Sequence, residues 1–143
     1  MNDDTTLLQE VYHSAYMGER GTQLMLGKSK DGGLSAKLSE LGEEYAAIRE
    51  QAAEKLTSYG QQPKDSSAIE NTAQWLGVQI GTLTDSSPSR MAEMMISGSA
   101  DMMIDSIEDI KRNHQAQHHT RQLAGRLVKL ETDSFNTMKT YLS

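Results

Sequence analysis

The chain has 143 residues, a length that suits one domain. It contains no cysteine, which excludes disulfides, thiolate metal sites and a cysteine nucleophile. With 20 acidic against 14 basic side chains the net charge is −6, so a nucleic-acid partner is not expected.

In chain order, the first helix is predicted from about Thr5, capped by Asp3 or Asp4, to a stop at Gly27. Lys28 to Gly33 reads as a short loop, and a second helix runs from about Leu34 to Tyr59, ended by Gly60 and Pro63. Ser67-Ala68-Ile69-Glu70 reads as a capping box opening a shorter helix over 67–84. Ser87-Pro88 supplies an N-cap and a first helical position, where proline has no amide hydrogen to lose, for a helix to about Arg112. After Asn113-His114-Gln115 a last helix spans 116–142. No strand alternation or repeat is present, and no apolar run reaches the roughly 18 residues of a membrane span. The acidic start Met1-Asn2-Asp3-Asp4 does not read as a targeting segment. A soluble, cytoplasmic protein with no membrane partner is the expectation.

Each long segment carries one apolar stripe at 3.6-residue spacing, the cleanest being Leu34, Leu38, Leu41, Tyr45, Ile48, Ala52 and Leu56. Four such stripes predict an all-α four-helix bundle. The first and last pairs of long helices have short links and should form antiparallel hairpins. The link from Gly60 to Ser87 is long enough, with its short extra helix, to travel the bundle length of about 39 Å. The two long helices that it joins should therefore run parallel.

Against this plan stand Gly18-Glu19 in the middle of the first helix, the stop Gly60-Gln61-Gln62-Pro63, and Ala92-Glu93-Met94-Met95-Ile96-Ser97-Gly98-Ser99. With these the chain resembles ferritin-like bundles of uncharacterised bacterial families. The resemblance implies a ferritin-like four-helix bundle with one long crossover containing a short extra helix, and implies a fold more than an activity.

Carboxylate di-iron bundles place a Glu on each of two helices and Glu-x-x-His on each of the other two. By helical rotation Glu19 shares the stripe of Leu8, Tyr12, Ala15 and Leu26, and Glu131 sits among Leu127, Val128, Ser134 and Phe135. The position three beyond Glu131 is Ser134 rather than histidine. Tyr45 and Ile48 occupy the centre of the second helix, and Ser99 and Ser106 that of the fourth. A complete di-iron set is therefore not expected. Glu19 and Glu131 should be buried in one core layer, with hydroxyls such as Ser99, Ser106 and Ser134 as donors, and at least one should hold its proton unusually tightly. Two readings follow. One is a non-enzymatic structural or interaction module without a cofactor. The other is a reduced metal-binding protein holding a single Fe, Mn or Zn ion on Glu19 and Glu131.

Glu10-Val11-Tyr12-His13 matches Glu-x-x-His literally, but rotation places both ends opposite the apolar stripe, on a solvated face. His114, His118 and His119 read as a surface cluster, and the methionines of the fourth helix as core filler. In the crossover helix Ile69, Ala73, Leu76, Ile80 and Leu83 form a stripe toward the bundle. Trp75 and Val78 fall well away from it and form a candidate homodimer interface.

Overall fold

The computed structural model describes residues 2–64 and 67–143, and of 67, 68, 69 and 72 the backbone alone. Among the described residues the chain is all helical, with α1 at Asp3–Lys28, α2 at Gly32–Ser58, α3 at Ser67–Gly81, α4 at Pro88–Arg112 and α5 at His118–Lys139. No helix is long and apolar enough to cross a membrane among those residues.

Local chemistry accounts for the helix ends. The first helix is capped by Asn2, whose side chain accepts from the Thr5 amide at 2.9 Å, and not by Asp3 or Asp4. Those two carboxylates lie inside the first turn, where the helix dipole favours them, and accept instead from the amides of Gln115 and Gln117. Gly27 does not stop α1. The helix runs on to Lys28 and ends as the extended Ser29 turns its amide back onto Met25 and Leu26. Asp31 caps α2 through the Leu34 amide at 2.8 Å. At the other end, Gly60 adopts φ +74°, and the amides of Gly60 and Gln61 bond back to Thr57 and Leu56. This is a Schellman stop, which only glycine makes without strain. Ser87 caps α4, with Pro88 in its first turn, as expected. The expected capping box rests on the Ser67 side chain, which lies outside the described residues.

Hydrogen bonds between helix ends fix the topology. The start of α1 meets the α4–α5 loop through Asp3–Gln115 and Asp4–Gln117. It meets the end of α2 through Gln9, which bonds the Gln62 carbonyl and the Lys64 amide. At the far end Lys28 reaches the Gly81 carbonyl, and Ser143 bonds Ser89. Thus α1, α3 and α5 run one way, and α2 and α4 run the other. α1 touches all four other helices, α2 also meets α5, and α4 pairs with α5.

The core runs along this arrangement. The whole α2 stripe from Leu34 to Leu56 is buried, as are Leu7, Leu8, Val11 and Ala15 of α1 and Leu123, Ala124, Leu127 and Leu130 of α5. The stripes fail at their ends, where Leu26, Tyr59 and Leu142 are exposed.

Candidate functional site

Polar side chains enter the helix interfaces at two places, and each is solved differently. Between α1 and α2, Gly18 lies against the ring of Tyr45, and a Cβ there would come within 2.4 Å of Tyr45 Cε1. The close approach puts Glu19 beside Arg49: Nε donates to Oε1 at 2.6 Å and Nη2 to Oε2 at 3.4 Å. The pair is largely shielded, with side-chain exposures of 16% for Glu19 and 25% for Arg49. The bond to Glu19 holds the Arg49 guanidinium charged more firmly still. One turn on, the Thr22 hydroxyl donates to the carbonyls of Gly18 and Glu19.

On α5, Glu131 is 0% exposed, and neither carboxyl oxygen has a hydrogen-bond partner among the described residues. The buried hydroxyl of Ser106 on α4 is also without one. Burial pushes the Glu131 carboxyl up to about 8, Asp105 and Asp109 push the same way, and nearby Ser106 acts in opposition. Burial chiefly, and then the field of Glu131, raise the Tyr45 phenol as well. Ser134, the residue at the di-iron histidine position, donates no bond to Glu131. It is paired instead with Ser99 at 3.1 Å.

A second acidic group adjoins this one. Glu10 of α1 and Asp109 of α4 line a crevice with Leu7, Val11, Ser106, Ala124 and Leu127, too narrow to admit a water molecule. Arg112 bridges the two carboxylates, lying 3.7 Å from Glu10 and in direct contact with Asp109. Asn113 reaches Glu10 at 3.5 Å. Burial, and then the Asp109 carboxyl, raise Glu10 to about 7. The expectation of a solvated face at Glu10 is therefore corrected: its side chain is 27% exposed, and one oxygen is buried. A single stripe does not describe α1, because α4 covers a second side of it.

The structure places Glu19 and Glu131 in separate environments. The charges acting on Glu131 are Asp105 and Asp109, not Glu19, and Glu19 already has its cation in Arg49. No three histidine, aspartate or glutamate side chains converge to hold a metal ion among the described residues, so they do not fit a di-iron centre. His114, His118 and His119 are exposed. Sequence reasoning missed Arg49 and Asp109. The signal for Arg49 was its place directly after Ile48, at the edge of the α2 stripe and within reach of an inward Glu19.

On the outside of α3, Trp75 and Val78 are 59% and 60% exposed, one helical turn apart. Residues 71–84 carry no charged side chain in a chain where 24% of residues are charged. Ile80 on the opposite side is buried. Comparison of the chain with protein-family models, with curated proteins and with solved structures gave no match.

Proposed function

We propose that this chain is a ferritin-like bundle that works as a non-enzymatic interaction module, associating with a second copy of itself through α3. The observation that carries the reading is the exposed pair Trp75 and Val78 on a helix face free of charge. Trp removes a large apolar area from water while keeping one polar donor, which suits the centre of an interface. The charge pattern argues for a second copy as the occupant. Two chains of charge −6 repel wherever acidic faces meet, and the 71–84 segment lets them approach without that cost. Asn71, Gln74 and Gln79 supply both donors and acceptors beside the apolar pair, as a self-complementary two-fold contact requires. A helix of 15 residues offers less than the roughly 800 Å² per partner of a standard interface, so the dimer should form at micromolar rather than nanomolar concentration.

Sedimentation across a concentration series tests this. The wild type should dimerise reversibly, and Trp75→Ala should weaken the dimer by at least about tenfold, as loss of a hot-spot residue does. A strictly monomeric wild type, or unchanged association in Trp75→Ala, overturns it. The competing reading, one Fe, Mn or Zn ion on Glu19 and Glu131, predicts stoichiometric metal in protein purified without chelator. That metal would be lost in Glu131→Gln.

A further inference from the structure

We propose that the junction of α1, α4 and α5 is a proton-held latch. The helices close with Glu131 and Glu10 as neutral acids, and loss of these protons opens the crevice between α1 and the α4–α5 hairpin. This goes beyond the self-association reading and does not depend on it.

The geometry carries the argument. Glu131 is fully buried, and neither of its oxygens has a partner among the described residues. An ionised carboxylate in that place has lost its water and has one short hydroxyl, Ser106, beside it in exchange, which does not offset the cost of burying the charge. The neutral acid has only to place one O–H, and the hydroxyl of Ser106 is the neighbouring buried polar atom without a partner. The charged groups acting on Glu131 favour the proton, and the Ser106 hydroxyl opposes it. α4 presents Asp105 and Asp109. From α2, Glu44 and Glu131 act together on the Tyr45 phenol, and Glu44 also attracts Lys129 on the outer side of α5. α1 presents Glu10, which faces Asp109. The cation at the junction, Arg112, is committed to Glu10 and Asp109, so it balances one of their two charges and leaves a proton to balance the other. The crevice between them is lined by Leu7, Val11, Ala124 and Leu127 and has no room for water. Hydrating the buried Glu10 oxygen and the fully buried Glu131 carboxyl therefore requires the helices to move apart.

The direction of the pH dependence follows. Glu131 is raised from 4.5 to about 8 and Glu10 from 4.5 to about 7. A group raised in the folded state binds its proton more tightly there than in the unfolded chain. Its contribution is complete below the unfolded value and is lost as pH rises through the folded one. Stability should fall between those values, and the opened form should be populated above about pH 8.

Carboxyl-carbon NMR on the wild type, with hydrogen exchange corrected for intrinsic rates, tests the latch. The Glu131 carboxyl should titrate near 8, and amide protection near Ser106 and Leu127 should drop at least about tenfold as pH rises toward that value while α2 stays protected. Between the two protonation limits the wild-type unfolding constant should rise more steeply than that of Glu131→Gln, by up to about tenfold per pH unit. Glu131→Gln should keep its α5 protection at high pH. A Glu131 carboxyl already ionised at neutral pH overturns the proposal, as does protection of α4 and α5 that ignores its titration. Both wild-type measurements decide the matter even if the variant does not fold.

Discussion

The α1–α2 interface and the α4–α5 side of the molecule treat a carboxylate in opposite ways. Between α1 and α2, Glu19 is met by a guanidinium at 2.6 Å and retains a little contact with water. On α5, Glu131 is fully buried, its oxygens have no hydrogen-bond partner among the described residues, and its charge is suppressed by burial. The difference originates in backbone spacing. Gly18 and Gly42 bring the first two helices close: Tyr45 lies against one, and the Thr22 hydroxyl lies 3.0 Å from where the other's Cβ would be. Arg49 can then span the seam. Where α5 faces α4, the nearest polar residue is a short serine flanked by two aspartates, so a proton is the one neutralising agent at hand. The residue type does not decide whether a core glutamate is charged. What its neighbours can reach does.

The comparison is broken most directly at Gly18. Alanine normally stabilises a helix by roughly 1 kcal/mol relative to glycine. Here the added Cβ would sit 2.4 Å from a Tyr45 ring that is only 2% exposed and has nowhere to swing. Gly18→Ala should therefore destabilise by about 2–3 kcal/mol in urea denaturation. Gly21→Ala, with open space around its Cβ, should be neutral or slightly stabilising. A stabilised Gly18→Ala would mean that the first two helices are not as close as described.

Arg49→Met comes next. It leaves Glu19 with its burial and without its cation, which makes the first interface resemble the second. The pair is partly shielded, so the loss should lie between that of an exposed ion pair and that of a fully buried one, about 1–2 kcal/mol. Adding Glu19→Gln should restore much of it, and a double-mutant cycle by chemical denaturation reads the coupling. Strictly additive losses would show that the two side chains do not act as a pair.

The parts of this arrangement legible in the sequence are those governed by one helix at a time. The α2 stripe, the Gly60 stop, the Ser87-Pro88 start and the inward rotation of Glu131, Ser99 and Ser106 each depend on local periodicity or local turn chemistry, and each appears in the structure. The residues that escaped depend on a second helix. Glu10 looks solvated on a helix taken alone and is covered because α4 packs over it. Asp3 and Asp4 look like caps and serve instead as acceptors for a loop more than 100 residues away in sequence. Arg49 lies outside the α2 stripe and is drawn in by a carboxylate on α1. For the same reason the sequence showed that Glu131 faces the core but not that its oxygens lack donors, since Ser134 turns to Ser99 instead.

That last choice gives the finest test of the comparison. Ser99 and Ser134 are nearly fully buried and bond each other at 3.1 Å, only one turn of α5 from a glutamate whose oxygens have no hydrogen-bond partner among the described residues. Removing one hydroxyl strands the other without water, so Ser99→Ala should cost about 1 kcal/mol. Removing both takes away a satisfied pair and two desolvation costs together, so Ser99→Ala/Ser134→Ala should lie within about 0.5 kcal/mol of the wild type. The fate of the stranded hydroxyl sharpens the point. In Ser99→Ala, Ser134 is released three residues from Glu131, on the same face of α5. If it turns to the carboxyl as a donor, it favours the ionised form, and the Glu131 titration should move down from about 8. A single variant that loses stability yet lowers that titration would show that Glu131 is kept neutral by the engagement of its neighbours elsewhere as well as by burial. A Ser99→Ala that costs nothing and leaves the titration in place would mean that the serine pair and Glu131 are independent.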